Sequence, residues 1–141
     1  MVYGWYWDGE MADLEKTEKI TINLGLVDLG QIDLLVQEGF YANRTDFIRS
    51  AIRTQLVTRA AAVDQSVARR TLVLGSAHFT RAQLEELRRV GQTLQIRVLG
   101  LATIAADVSP KLALQTIASV EVLGAFRASA AVKAALASRI V

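Results

Sequence analysis

Between Glu18 and Gly25 the chain reads EKITINLG, and its alternation leaves few folds open. Ile20, Ile22 and Leu24 take every second place, with Lys19, Thr21 and Asn23 at the neighbouring positions. A period of two turns the apolar side chains to one face of a strand and the polar ones to the other. Gly25 ends the run, and the two segments after it have helical periodicity. One strand followed by two helices in roughly 45 residues is too little chain to bury an adequate core. A lone strand also leaves its backbone N–H and C=O groups without partners. Both deficits vanish if two chains pair their strands antiparallel and interlock their helices.

The spacing predicts a first helix with Asp28 as its cap, running through LGQIDLLVQE, with Leu29, Ile32 and Val36 on one stripe and Leu35 beside them. Gly39 stands where a helix stop is expected, and Phe40 and Tyr41 are placed to fold back on the last turn. Gly30 is unfavourable inside a helix, which points to close helix packing there. Asn43 with Asp46 three residues on is close to a capping box, and Phe47, Ile48, Ala51, Ile52 and Leu56 form the stripe of the second helix. Residues 60–70 are Ala-rich and free of Gly and Pro, compatible with that helix continuing as a connector.

These residues carry a resemblance. Residues 16–59, with TEKITINLG, the G-F-Y turn and the N-R-T-D-F-I-R-x-A-I opening of the second helix, resemble the ribbon-helix-helix DNA-binding family of CopG, Arc and MetJ type. The resemblance implies an intertwined homodimer that lays a two-stranded ribbon in the major groove of double-stranded DNA. With Ile20, Ile22 and Leu24 turned into the dimer core, Lys19, Thr21 and Asn23 project toward the bases. There Asn suits adenine, Lys suits guanine O6/N7 and Thr suits a thymine methyl. The family anchors phosphates with the start of its second helix, which corresponds to Asn43, Arg44 and Thr45. Free N–H groups and the helix dipole favour an anion at such a place. Arg49 and Arg53 are read as solvated or acid-paired.

The second half carries a different signal. Val-Leu-Gly occurs at 73–75, 98–100 and 122–124, so the copies are 25 and 24 residues apart. Each ends a strand-like run (RTLVLG, QIRVLG, SVEVLG) and precedes a helix with a hydroxyl cap: Thr80, Ser109 followed by Pro110, and Ser129. In the second copy LATIAAD reads as extra loop, and His78 as a loop residue. Spacing and shared caps predict about three strand-helix repeats. Stacked in parallel, the strands turn Val73, Val98 and Val122, with Ile96 and Val120, toward the helices. Leu74, Leu99 and Leu123 then form a row on the other face, beside Leu72, Arg97 and Glu121. Right-handed crossovers gather the helices on one side and leave this row bare, an expected oligomer interface.

The reading is an α+β chain: an acidic, aromatic tail at 1–15, read as flexible; a ribbon-helix-helix domain at 16–59; a helical connector at 60–70; and a strand-helix repeat domain for oligomerisation at 71–141. The chain has no cysteine and one histidine, which argues against disulfides, metal and redox chemistry. No cofactor is implied, and no carboxylate pair, nucleophile-base set or phosphate-cradling glycine loop suggests an enzyme. The longest apolar stretch is far short of the roughly 20 residues that cross a bilayer. The amino terminus is acidic where a secretory signal is basic, so a cytoplasmic protein is expected. The net charge of +2 is mild: residues 16–70 hold eight Lys/Arg against six Asp/Glu, and residues 71–141 eight against four. Placement must therefore carry the case for DNA. The function that follows is a sequence-specific, dimeric DNA-binding protein, a transcriptional repressor whose second half assembles dimers. A structural organiser of DNA, or a filament, is the rival. An antitoxin is disfavoured because the second half reads as folded.

Overall fold

The computed structural model describes residues 16–141. The tail expected at 1–15 lies outside the described residues. Two compact units occur, Thr17–Ser66 and Val67–Val141.

In the first unit, residues 17–25 take no regular secondary structure within the single chain. The expected strand is not formed there, because a strand needs a neighbour to accept and donate its hydrogen bonds. Helix α1 (Leu26–Gln37) starts two residues before the expected cap. Gly25 is its N-cap, without a side-chain bond, and Asp28 sits in the first turn. The end of α1 is a glycine stop. Gly39, at φ +84°, donates to the Val36 carbonyl (3.1 Å) and Phe40 donates to that of Leu35 (3.0 Å). These two bonds satisfy carbonyls that the helix end would leave bare. The Tyr41 ring meets Phe47 of helix α2 (Arg44–Thr58) edge to face, with centroids 5.0 Å apart, while Phe40 is exposed. Helix α2 does not run on. Arg59 (φ −102°, ψ 9°) ends it, and α3 (Ala60–Arg70) is a separate helix. No side chain of the described residues lies within 4 Å of the Cβ position of Gly30, so the close packing expected there is not made among them.

The second unit is a three-stranded parallel sheet in the order β1-β2-β3 with helices in the crossovers. Its elements are β1 (Val73–Phe79), α4 (Arg81–Val90), β2 (Leu94–Ile104), α5 (Pro110–Thr116), β3 (Ile117–Arg127) and α6 (Ala130–Leu136), then a 3-10 turn Ala137–Arg139. Thr80, Ser109 and Ser129 cap α4, α5 and α6 through their hydroxyls, and Thr80 forms a full capping box with Gln83. The register sets the three Val-Leu-Gly copies side by side: Val73 with Val98 and Val98 with Val122, then the leucines, then the glycines.

The glycines do not end the strands, which continue as SAHF, LATI and AFR. LATI is therefore sheet and not loop, and His78 lies in β1. The reason is a close backbone contact inside the sheet. Gly75, Gly100 and Gly124 all have positive φ, +120°, +138° and +121°. A Cβ on Gly100 would stand 2.1 Å from the Gly75 carbonyl oxygen, and one on Gly124 2.1 Å from that of Gly100. Only glycine tolerates both the dihedral and the approach.

Ile96, Val98, Ala102 and Ile104 of β2 and Ile117 and Val120 of β3 form the core with Leu84 of α4, Leu112 and Ala113 of α5, and Val132 and Leu136 of α6. Val73 departs from the expected buried row. It is 58% exposed against 2% for Val98, because β1 is an edge strand. Leu72 is buried instead of lying beside the leucine row. That row is open: Leu74 and Leu123 are exposed and Leu99 is half-buried. Glu121 on the same face is held by Arg70 and by Arg97 (3.3 Å), and Arg97 also donates to the Thr71 hydroxyl (2.8 Å). The Arg70 hydrogen bond is the main cause that keeps the Glu121 carboxyl below the usual carboxylate range. At the far edge, Arg139 donates to the carbonyls of Leu114 and Ile117, both at 2.7 Å, and so ties the carboxyl-terminal turn to β3.

Gly100→Ala combines a backbone clash with a forbidden dihedral and is expected to destabilise this unit by about 3 kcal/mol or more. Gly75→Ala meets no atom of the described residues within 4 Å and is expected to cost only the dihedral strain, about 1–2 kcal/mol. Urea denaturation of the two full-length variants compares them, and equal losses would show that the glycine contact is not close-packed.

Candidate nucleic-acid interface

The expected DNA-reading residues lie in the first unit, and their surroundings explain what that unit lacks. Lys19, Thr21 and Asn23 are all exposed. So are the apolar residues between them: Ile20 is 73% exposed, Ile22 58% and Leu24 39%. In residues 17–66 Ile32 is the one buried hydrophobic residue, whereas Leu26, Val27, Leu34, Ile52, Leu56 and Val57 all face water. The exposed apolar side chains include one whole face of the segment that alternates, and large exposed apolar patches are characteristic of protein interfaces.

The turn into α2 is built by reciprocal bonds. The Asn43 side-chain oxygen accepts from the Asp46 backbone N–H (2.8 Å), and Asp46 Oδ2 accepts from the Ala42 N–H (3.0 Å). Asn43 is thus committed through its oxygen to capping, and its amide NH2 remains as a donor. The backbone N–H groups of Arg44 and Thr45, in the first turn, have no intrahelical acceptor.

Arg44 is held in a way the sequence did not disclose. Its Nε and Nη2 donate to the two carboxylate oxygens of Asp33 on α1, at 2.7 and 2.8 Å. This fork-to-fork pair sets the guanidinium in one orientation. The hydrogen bond from Arg44 is the chief cause of an Asp33 pKa below its ordinary value, and Asp33 in turn raises that of Arg44. The pair is therefore ionised at neutral pH and is lost only as pH falls through the lowered Asp33 value. Both side chains are about half exposed, which limits its worth to stability but leaves it free to position a cation.

Beside this turn a shallow cleft of about 590 Å³ runs along α2, lined by Asn43, Thr45, Asp46, Arg49, Ser50 and Arg53 among others. Thr45, Arg49 and Arg53 are four residues apart and share a helix face. Neither arginine has an acidic partner among the described residues. Both are exposed, as the reading of them as solvated side chains expects, and they stand on the same helix face as Thr45.

A family model described as the ribbon-helix-helix transcriptional regulator family matches residues 15–133. The chain belongs to that family. It is a family of DNA-binding regulators, not of enzymes. The match starts before the alternating segment and runs into α6, so the sheet-bearing half is part of the family pattern. Comparison with curated proteins and with solved structures found no match. Among the described residues no helix is long and apolar enough to cross a membrane, and no three His, Cys, Asp or Glu side chains are grouped to hold a metal ion.

Asn43→Ala removes the cap and is expected to cost about 1 kcal/mol, whereas Asn43→Ser retains most of it. Chemical denaturation followed by helical circular dichroism checks both, and indistinguishable midpoints would discount the cap.

Proposed function

We propose that this ribbon-helix-helix regulator is a repressor that binds double-stranded DNA as a homodimer and reads sequence in the major groove with a paired ribbon. The observation that carries this reading is the exposed Ile20, Ile22, Leu24 face in a unit with a single buried hydrophobic residue. Antiparallel pairing with a second chain supplies the missing backbone partners and buries that face. Lys19, Thr21 and Asn23 are then doubled by symmetry on the outer surface of the ribbon, where the groove admits two strands.

Asn43, Arg44 and Thr45 are proposed to hold a phosphate on each side, with the amide of Asn43, the first-turn N–H groups and the Arg44 nitrogen not bonded to Asp33 as the available donors. Arg49 and Arg53 add charge along the groove edge. The sheet half is proposed to assemble these dimers on adjacent sites, with Leu74, Leu99 and Leu123 in the contact. Linked modules raise local concentration, and so occupancy, without further base contacts.

Selection of binding sites from random DNA, followed by sizing of the bound complex, tests the whole reading, with a palindrome of two half-sites expected. Asn23→Ala is expected to lose about 1–3 kcal/mol of discrimination at one base position per half-site. Arg44→Ala is expected to weaken all DNA alike and to lower the salt slope by about one per chain. Unchanged preference after both Asn23→Ala and Thr21→Ala would remove the readout assignment. Continuous filaments formed without DNA would favour the structural organiser.

A further inference from the structure

Residues 17–25 pair with no other described segment, and the family to which the chain belongs binds DNA typically as dimers. Symmetry and side-chain alternation together restrict how two copies of this segment can meet. In a two-fold antiparallel ribbon, a residue that faces a given position of the partner is faced by that position in return. The ribbon is therefore centred either on one residue, which faces its own copy, or between two residues. Residues directly opposite each other put their side chains on the same face. A centre between two residues would set the apolar side chains of the two chains on opposite faces of the ribbon. Only a centre on a residue gathers Ile20, Ile22 and Leu24 of both chains on one side.

The start of α1 decides which residue. Gly25 is the N-cap and Leu26 the first helical residue, so a strand cannot run past Gly25. With Ile22 at the centre, Ile22 faces its own copy and Ile20 faces the partner's Leu24, so every apolar side chain meets another. With Thr21 at the centre, Leu24 faces Glu18. With Ile20 at the centre, Ile22 faces Glu18 and Leu24 faces Lys16. With Asn23 at the centre, Ile20 falls opposite Leu26, which α1 has already taken, and Ile20 stays uncovered. A centre nearer the start of the segment lengthens the ladder, but its added hydrogen bonds only replace bonds to water. A charged group placed on the apolar face costs far more than such an exchange returns.

We propose that two copies pair residues 19–25 with Ile22 on the two-fold axis, so that each base-reading unit is composite, made of Thr21 from one chain and the partner's Asn23. This rests on the ribbon reading proposed above and specifies its register. On the outward face Thr21 stands directly opposite the partner's Asn23, on both sides of the axis, and no outward side chain lies on the axis itself. Lys19 stands opposite the partner's Gly25, which has no side chain to compete with it. A strand advances about 3.4 Å per residue, close to the roughly 3.4 Å between successive phosphates along the duplex axis. The Thr21 and Asn23 pairs therefore lie about one base step from the operator centre and Lys19 about three. The inner positions of each half-site are read by two chains together and the outer ones by Lys19 alone.

The chain has no cysteine, so introduced ones report the register directly. Opposite residues have Cα atoms about 4.5–5.5 Å apart, within the span of a disulfide, whereas diagonal neighbours at roughly 7–8 Å lie beyond it. Thr21 and Asn23 are exposed, so replacing them leaves the apolar face intact. Full-length Thr21→Cys and Asn23→Cys chains carrying different tags are co-expressed, mildly oxidised and run on a non-reducing gel. A linked dimer holding one chain of each kind is expected, in large excess over linkage of either variant with itself. Self-linkage of Thr21→Cys would overturn the register in favour of a centre at Thr21, and self-linkage of Asn23→Cys in favour of one at Asn23. In binding-site selection, Asn23→Ala should lose preference nearer the operator centre than Lys19→Ala, and the reverse order would also overturn the register. Without any linked pair the register falls. A palindromic preference of the unaltered chain would then keep the ribbon reading, and its absence would remove that reading too.

Discussion

Main-chain hydrogen bonds in a strand must be made with a different segment, and the architecture of this chain turns on where each strand finds one. In the second unit three strands find each other, in sequence order and in parallel, because crossovers carrying α4 and α5 bring each Val-Leu-Gly copy beside the last. In the first unit the alternating segment at 19–24 has no such neighbour in its own chain and takes no regular structure. The exposed apolar surface of that unit is the same deficit in terms of side chains: a partner that completes the backbone pairing also covers Ile20, Ile22 and Leu24.

The glycine contacts govern how closely the parallel strands are built. At Gly100 and Gly124 a neighbouring carbonyl takes the volume of a side chain, which only a residue without Cβ at positive φ allows. The strands continue beyond it, and Ala102 and Ile104 resume the buried face established by Ile96 and Val98. The motif therefore lies within the sheet as a packing feature.

The first unit shows how a charged side chain gains an orientation. Arg44 opens α2 at a place suited to an anion, but its guanidinium is fixed by Asp33 from α1. This ties the two helices together and leaves one guanidinium nitrogen without a bond to Asp33. Arg49 and Arg53, without acidic partners, continue the cationic surface along the helix. A chain with a net charge of only +2 can present a locally cationic surface in this way, since local placement and not the total sets the field there.

Local periodicity and capping determined a large part of this protein. The period of two at 19–24, the Gly39 stop, the Asn43 cap and the hydroxyl caps at Thr80, Ser109 and Ser129 depend on residues only a few positions apart, so the sequence displays them directly. The 25- and 24-residue spacing likewise set which valines, leucines and glycines could stand abreast. Other features depended on segments distant in the chain. The Arg44–Asp33 pair spans a helix and a turn, and the length of the strands past their glycines depends on a neighbouring carbonyl. The burial of Val98 but not Val73 depends on which strand lies at the edge, and the partial covering of β3 depends on where residues 139–141 come to rest. Only the tertiary structure decided these, because partner identity and burial are set by what packs alongside, which no period or cap encodes.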